Sequence, residues 1–157
     1  MTLLTQLAAL LAIMGTGGVY GTDVFCAIVQ RPALARVDDA ALTAVMGNLH
    51  RYADRRMPVP GVIALLFSAV ATALAAVTGH WSASVAAGLA LILLVVWMIL
   101  YARISAPINR VLTASVDNHE TPANARMLQH NWDRIIVLRA TLQGVAVLAL
   151  GICLIIT

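Results

Sequence analysis

Asp23, His50 and Arg139 are the ionisable side chains of this sequence that stand where they could do chemistry. Asp23 interrupts a long uncharged stretch, Arg139 lies inside the start of another, and His50 falls at the edge of an apolar helical arc. A carboxylate or imidazole withdrawn from water is a candidate proton acceptor, and arginine is a fixed cation that pairs with a carboxylate or an anionic oxygen. Asp23 lies about two turns and Arg139 about one turn inside the charged end of its apolar stretch, so the two depths match. Two accounts follow: a structural ion pair that neutralises two costly charges, or a pair that binds a substrate anion or moves a proton.

The elements that must position these groups are legible from the charge map. Sixteen of the seventeen charged side chains fall between Arg31 and Arg56 or between Arg103 and Arg139, Asp23 being the exception. A soluble domain scatters charge over its whole surface, whereas here long stretches offer water nothing to solvate. Four apolar stretches result, Leu3 to Val29, Gly61 to Gly79, Trp81 to Tyr101 and Ile135 to Ile156, each close to the ~20 residues that span a bilayer as a helix. The apolar fraction of 61% exceeds the ~45–50% of soluble domains. The expected fold is all-α: one domain over 1–157, a bundle of four transmembrane helices with spans at 3–29, 61–79, 81–101 and 135–156.

All ten basic residues are arginine and all lie in the two charged windows, which the positive-inside rule places in the cytoplasm with both termini outside. The first stretch has no basic residue ahead of it and exceeds a signal-peptide core in length, so a retained helix is expected. Cys26 and Cys153 belong to opposite ends of their helices and no CxxC occurs, so neither a disulfide nor a thiol relay is expected.

The first window predicts an amphipathic helix against the inner membrane face, with Leu42, Val45, Met46, Leu49, Ala53 and Met57 on its apolar side while Arg51, Asp54 and Arg55 point elsewhere. Asp38 or Asp39 caps its start, and Pro58 with Pro60 ends it. His50 is about 40° from Met46 on this wheel, so its ring either turns toward the bundle or snorkels to water. The second window turns at Asp117-Asn-His-Glu120 and restarts at Thr121-Pro122, with Thr121 as cap and Pro122 as first residue of one helix of ~35 residues. Leu128, Asn131, Trp132, Ile135, Leu138, Arg139 and Leu142 share one face of it, and His130 lies on the solvated side. Within the first apolar stretch, Thr16, Tyr20, Asp23 and Gln30 draw a polar stripe, and Gly17 with Gly21 forms a small-xxx-small pair for close helix approach. The adjacent His119 and Glu120 lack a second histidine at helical spacing, so no metal site is expected there.

Arg31-Pro-Ala-Leu34 at the end of the first span, Pro107-Ile-Asn109-Arg110 after the third, and Trp132 with Arg139 entering the fourth resemble, in order and placement, the anthrone oxygenase-like family of small four-helix membrane proteins. The resemblance covers nearly the whole chain. Many relatives carry a histidine between that tryptophan and arginine, where this chain has Ile136. It implies monooxygenation of a reduced aromatic molecule without a metal or other cofactor: a base makes a carbanion that reacts with oxygen directly. Asp23, His50 and Arg139 would be catalytic, and Tyr20, Asn109, Asn131 and Trp132 would bind the substrate.

An oxidoreductase acting on a hydrophobic aromatic or quinone-type molecule is thus one expectation. A non-catalytic module that binds lipid or quinone, or scaffolds a larger complex, is the alternative. A transporter is disfavoured, because four short-looped helices without inverted repeats would have to oligomerise to form a pathway. The expected partners are a hydrophobic small molecule and the lipid bilayer, with a homo-oligomer left open and no nucleic acid.

Overall fold

A computed structural model describes residues 2–157. Among them the chain is helical apart from short connections, with no strand. Helix α1 (Thr2–Phe25) passes through a π turn at Cys26–Gln30 into the short α2 (Arg31–Leu34). Helices α3 (Asp39–Arg56), α4 (Pro58–Val77) and α5 (Trp81–Leu100) follow, and a π turn at Tyr101–Ser105 carries α5 into α6 (Ala106–Asp117). The last helix is α7 (Ala125–Ile156).

Four helical runs are long and apolar enough to cross a membrane: Thr2–Leu34, Pro58–Val77, Trp81–Asp117 and Ala125–Ile156. They pack in the cyclic order α1, α4, α5, α7, each antiparallel to its neighbours. The protein is a multi-pass membrane protein, and its packing is that of a bundle in lipid. Alanine fills the interior at Ala9, Ala12, Ala64, Ala71, Ala87 and Ala90, while Val62, Leu66, Val85, Ile92, Leu148 and Ile155 face outward. Where the surroundings are as apolar as the core, close backbone approach rather than burial of large side chains drives association. An alanine layer around Ala8, Ala75, Ala83 and Cys153 closes the end that carries the start of α1, the end of α7 and the turn at Gly79. A middle layer is built on Leu94 and Leu150. The third layer, at the charged end, joins Cys26, Leu42, Met46, Leu112, Trp132 and Ile136.

Two of the expected spans are longer than their apolar cores suggested, because proline did not stop them. Pro32 lies four residues after Ile28, and Pro107 four after Arg103. A proline ring clashes with the carbonyl at that spacing. Both helices widen into π turns over those carbonyls and then continue. The second span begins at Pro58, three residues before the expected start, since proline is tolerated in a first turn. Thr121-Pro122 does not start α7. His119 takes a left-handed conformation at φ 56°, a turn returns Ala125 N–H to the Pro122 carbonyl, and the helix begins at Ala125. Arg126 fixes that position: it donates to Asp39 at 2.7 Å, to the Leu34 carbonyl at 2.8 Å and to the Val37 carbonyl, tying α7 to the end of α2 and the start of α3.

Asp38 caps α3, accepting from Ala41 N–H at 2.7 Å. The buried side of α3 is rotated from the one its apolar residues outline, with Val45 exposed and Thr43, Gly47 and His50 buried. The cause is the crossing with α6. A methyl group on Gly47 would stand 2.5 Å from the Leu112 carbonyl oxygen, and Thr113 Oγ1 donates to the Gly47 carbonyl at 3.2 Å. The glycine contact in α1 also differs from expectation. Gly17 and Gly21 face open space, while Gly15 meets α4, where a methyl would lie 2.6 Å from the Pro60 carbonyl oxygen. Replacing Gly15 or Gly47 by alanine is therefore expected to destabilise the protein by about 1–3 kcal/mol through overpacking. Gly17→Ala and Gly21→Ala should be neutral or mildly stabilising, as thermal unfolding in detergent will show.

Candidate functional site

Five helices contribute to one polar cluster in the layer where the bundle meets the charged end. Asp23, at the end of α1, is buried and accepts three hydrogen bonds. Arg139 Nη2 donates to Oδ1 at 2.9 Å, Gln143 Nε2 to Oδ2 at 2.9 Å, and Trp97 Nε1 to Oδ2 at 3.4 Å. Gln143 is one turn beyond Arg139 on α7, so both reach the same carboxylate. Arg139 also donates from Nη1 to Ser105 Oγ at 2.7 Å. Its guanidinium lies 5.6 Å from the ring centres of both Tyr101 and Trp132, within cation–π range. The depth match read from the sequence thus ends in a closed ion pair.

A second chain of bonds leads away from Trp132. Its Nε1 donates to Asn109 Oδ1 at 3.1 Å, and Asn109 Nδ2 donates to Asp54 Oδ1 at 2.9 Å. The Tyr101 hydroxyl donates to the same Asp54 oxygen at 2.8 Å. Asp54 is one turn beyond His50 on α3, and the rotation that buries Gly47 brings both inward. The sequence pattern pointed Asp54 away from the apolar side; the structure turns it toward α5 and α6 instead. His50 is 2% exposed, its ring 5.7 Å from that of Trp132 with the planes at 47°. Of the two readings its wheel position left open, the ring turns toward the bundle.

Burial pushes the His50 pKa down to about 4, with Arg139 acting in the same direction and Asp54 opposing. The imidazole is neutral at physiological pH. Its Nε2 is buried without a hydrogen-bond partner among the described residues, as is Arg139 Nε.

Between these two chains of bonds lies a cavity of about 180 Å³. Asp23, His50, Asp54, Asn109 and Arg139 supply its polar groups, and Trp97, Tyr101 and Trp132 its rings. Its accessible wall is almost wholly apolar, so the polar groups meet it at their edges. Of its other lining residues Val19 and Cys26 are buried, whereas Thr22, Leu49, Ala53, Met57 and Met98 are partly exposed and Pro58 is exposed, so the cavity opens on their side and they form its mouth.

The structure therefore brings together Asp23, His50, Asn109, Trp132 and Arg139. Tyr20 is turned to a separate shallow groove between α1 and α7, beside Gly144, so the polar stripe of α1 is divided between two sides. Asn131 is half-buried outside the cavity. Leu138, expected on the same face, is exposed, because the buried face of α7 runs through Gln129, Trp132, Ile136, Arg139 and Gln143. His130 is exposed. Trp97, Tyr101, Ser105 and Gln143 join the cluster without having been singled out; only the spacings Arg139 to Gln143 and His50 to Asp54 signal it in the sequence. Among the described residues no three His, Cys, Asp or Glu side chains gather as a metal-ligand set. Compared with family models, curated proteins and solved structures, the chain matches none.

Two measurements follow from this geometry. Asp23→Asn leaves the Arg139 charge buried without its counter-ion and is expected to cost about 3–5 kcal/mol. A smaller loss in the Asp23→Leu/Arg139→Leu double variant would identify uncompensated charge as the cause. For His50 the folded pKa lies below the unfolded value of about 6.5, so its contribution to stability is complete above that pH. Acidification removes it between pH about 6.5 and 4, a loss on the order of 3 kcal/mol. Unfolding scans should show this slope in the wild type and not in His50→Leu.

Proposed function

We propose that this protein is an integral membrane oxidoreductase of the oxygenase-like kind, acting on a hydrophobic aromatic or quinone-type molecule that enters the cavity from the inner half of the bilayer. One observation carries the reading: a ring-walled cavity at the charged end of the bundle in which a neutral histidine keeps a nitrogen without a protein partner. The excess of arginine at that end supports a cytoplasmic orientation for both charged windows, with α3 against the inner membrane face and both termini outside.

The resemblance to the anthrone oxygenase-like family supports the choice of chemistry. In relatives that carry it, the histidine belongs to the last helix; here that position is the fully buried Ile136. His50 reaches the same tryptophan from α3 and takes the role of base. It removes a proton from an acidic ring methylene, and the carbanion adds dioxygen to form a C–O bond. The resulting CH–OOH group loses water to leave a ketone, so one oxygen atom ends in the product and the other in water. Arg139 and Asn109 orient the substrate oxygen and stabilise its developing negative charge, and Asp23 holds Arg139 in place. The protein requires no further cofactor for this sequence of steps.

Oxygen consumption by the reconstituted protein with an anthrone as substrate tests this. His50→Ala should lower the rate by about 10²–10⁴-fold, the usual contribution of a general base, without loss of the folded bundle. A second reading, binding without turnover, is favoured by the apolar cavity wall and the complete pairing of Asp23. A wild-type protein that retains an aromatic ligand but consumes no oxygen would establish that reading in place of the first.

A further inference from the structure

Size, polarity and charge together narrow what the cavity can hold. A cavity of roughly 150 Å³ lined by apolar side chains accommodates benzene. At about 180 Å³ this one encloses a single substituted ring, and a larger ring system enters it only in part, the rest standing in the opening. Its walls, the indoles of Trp97 and Trp132 and the phenol of Tyr101, are surfaces on which a flat ring packs.

The unpartnered nitrogens set the polarity of the guest. Arg139 Nε can only donate, and it is buried without a partner in a side chain that lines the cavity. His50 Nε2, also buried and unpartnered, can donate in the tautomer that carries its proton there. A guest that brings an acceptor oxygen satisfies groups that the protein leaves unsatisfied. In the guest as it binds, that oxygen carries no fixed charge. The Arg139 charge is already balanced by Asp23, and Asp54 adds a second carboxylate at the same cavity, so a carboxylate or phosphate guest would bring excess negative charge into a buried site. The mouth, with Leu49, Ala53, Met57, Pro58 and Met98, is apolar, and the Thr22 hydroxyl there is already bonded to the Gly18 carbonyl. Nothing polar on the guest is required at that point.

We propose that the cavity takes the one-ring head of a membrane quinone, a ring carbonyl accepting from Arg139 Nε and His50 Nε2, with the apolar tail leaving through the mouth into the bilayer. This rests on the reading that the cavity receives a hydrophobic aromatic molecule, and not on the oxygenation chemistry.

The test uses the full chain in lipid nanodiscs, with Trp81→Phe to remove the exposed tryptophan at the far end, so that Trp97 and Trp132 report binding by fluorescence quenching. The probes are a benzoquinone with a ten-carbon tail, the same ring without the tail, a naphthoquinone with that tail, and anthraquinone. The tailed benzoquinone should quench saturably, with the tail-less ring and anthraquinone each binding at least tenfold more weakly. His50→Leu should weaken it about tenfold, and Thr22→Phe, which narrows the mouth, should weaken the tailed probe more than the tail-less one. If His50→Leu loses its unfolding transition, the Thr22→Phe comparison decides. Anthraquinone binding more tightly than the one-ring probe would overturn this inference and leave the proposed function standing. Saturable quenching unchanged by either variant would place the quinone elsewhere and overturn it too. Absence of saturable binding by any ring compound would remove both.

Discussion

The buried Asp23–Arg139 pair is the constraint on which the rest of the structure depends. Neither charge tolerates a span alone, since an uncompensated ion in a low-dielectric interior costs several kcal/mol. Together they must meet at one depth, which fixes the vertical register of α1 against α7. The remaining hydrogen-bonding capacity then recruits Trp97 from α5, Ser105 from its π turn and Gln143 from α7. The pair thus orders three helices, and its guanidinium supplies the face against which Tyr101 and Trp132 stand.

Local backbone departures let those side chains arrive. Pro32 and Pro107 each widen the preceding turn, one after α1 and one after α5, close to the level of the ion pair. In the second case the widened segment begins at Tyr101, which reaches Asp54, and ends at Ser105, which receives Arg139. Glycine works in the same direction at two crossings. Gly15 lets α1 approach α4, and Gly47 lets α3 approach α6, so close that a side chain at either would collide with a carbonyl oxygen. The second crossing turns α3 so that His50 and Asp54 face inward. A side of α3 chosen by hydrophobicity alone would have left Asp54 in water and the cavity without one wall.

Much of this was legible in the chain. The existence of four apolar spans, the ion pair and the capping of α3 by one of two adjacent aspartates follow from charge placement, length and cap chemistry, which are local or one-dimensional signals, whereas the ends of the spans did not. The helix faces were not equally legible. In lipid, outward positions are apolar too, so periodicity of Leu and Val does not separate the core side from the outer side. Exposed Val45 and Leu138 are the result. The small-residue rule failed in the same way: Gly17 and Gly21 have the spacing of a contact, but Gly15 makes it.

The sequence by itself determined that the chain lives in a membrane, that two arginine-rich windows share one end, and that Asp23 needs a cation at its own depth, because these follow from the cost of charge in hydrocarbon. Only the tertiary structure decided that His50, Asp54, Asn109, Tyr101 and Trp132 enclose a cavity beside that pair, and that Tyr20 and Asn131 stand outside it. Rotation of a helix about its axis is set by where backbones can approach, and that depends on the shape of the neighbouring helix, which no single segment encodes.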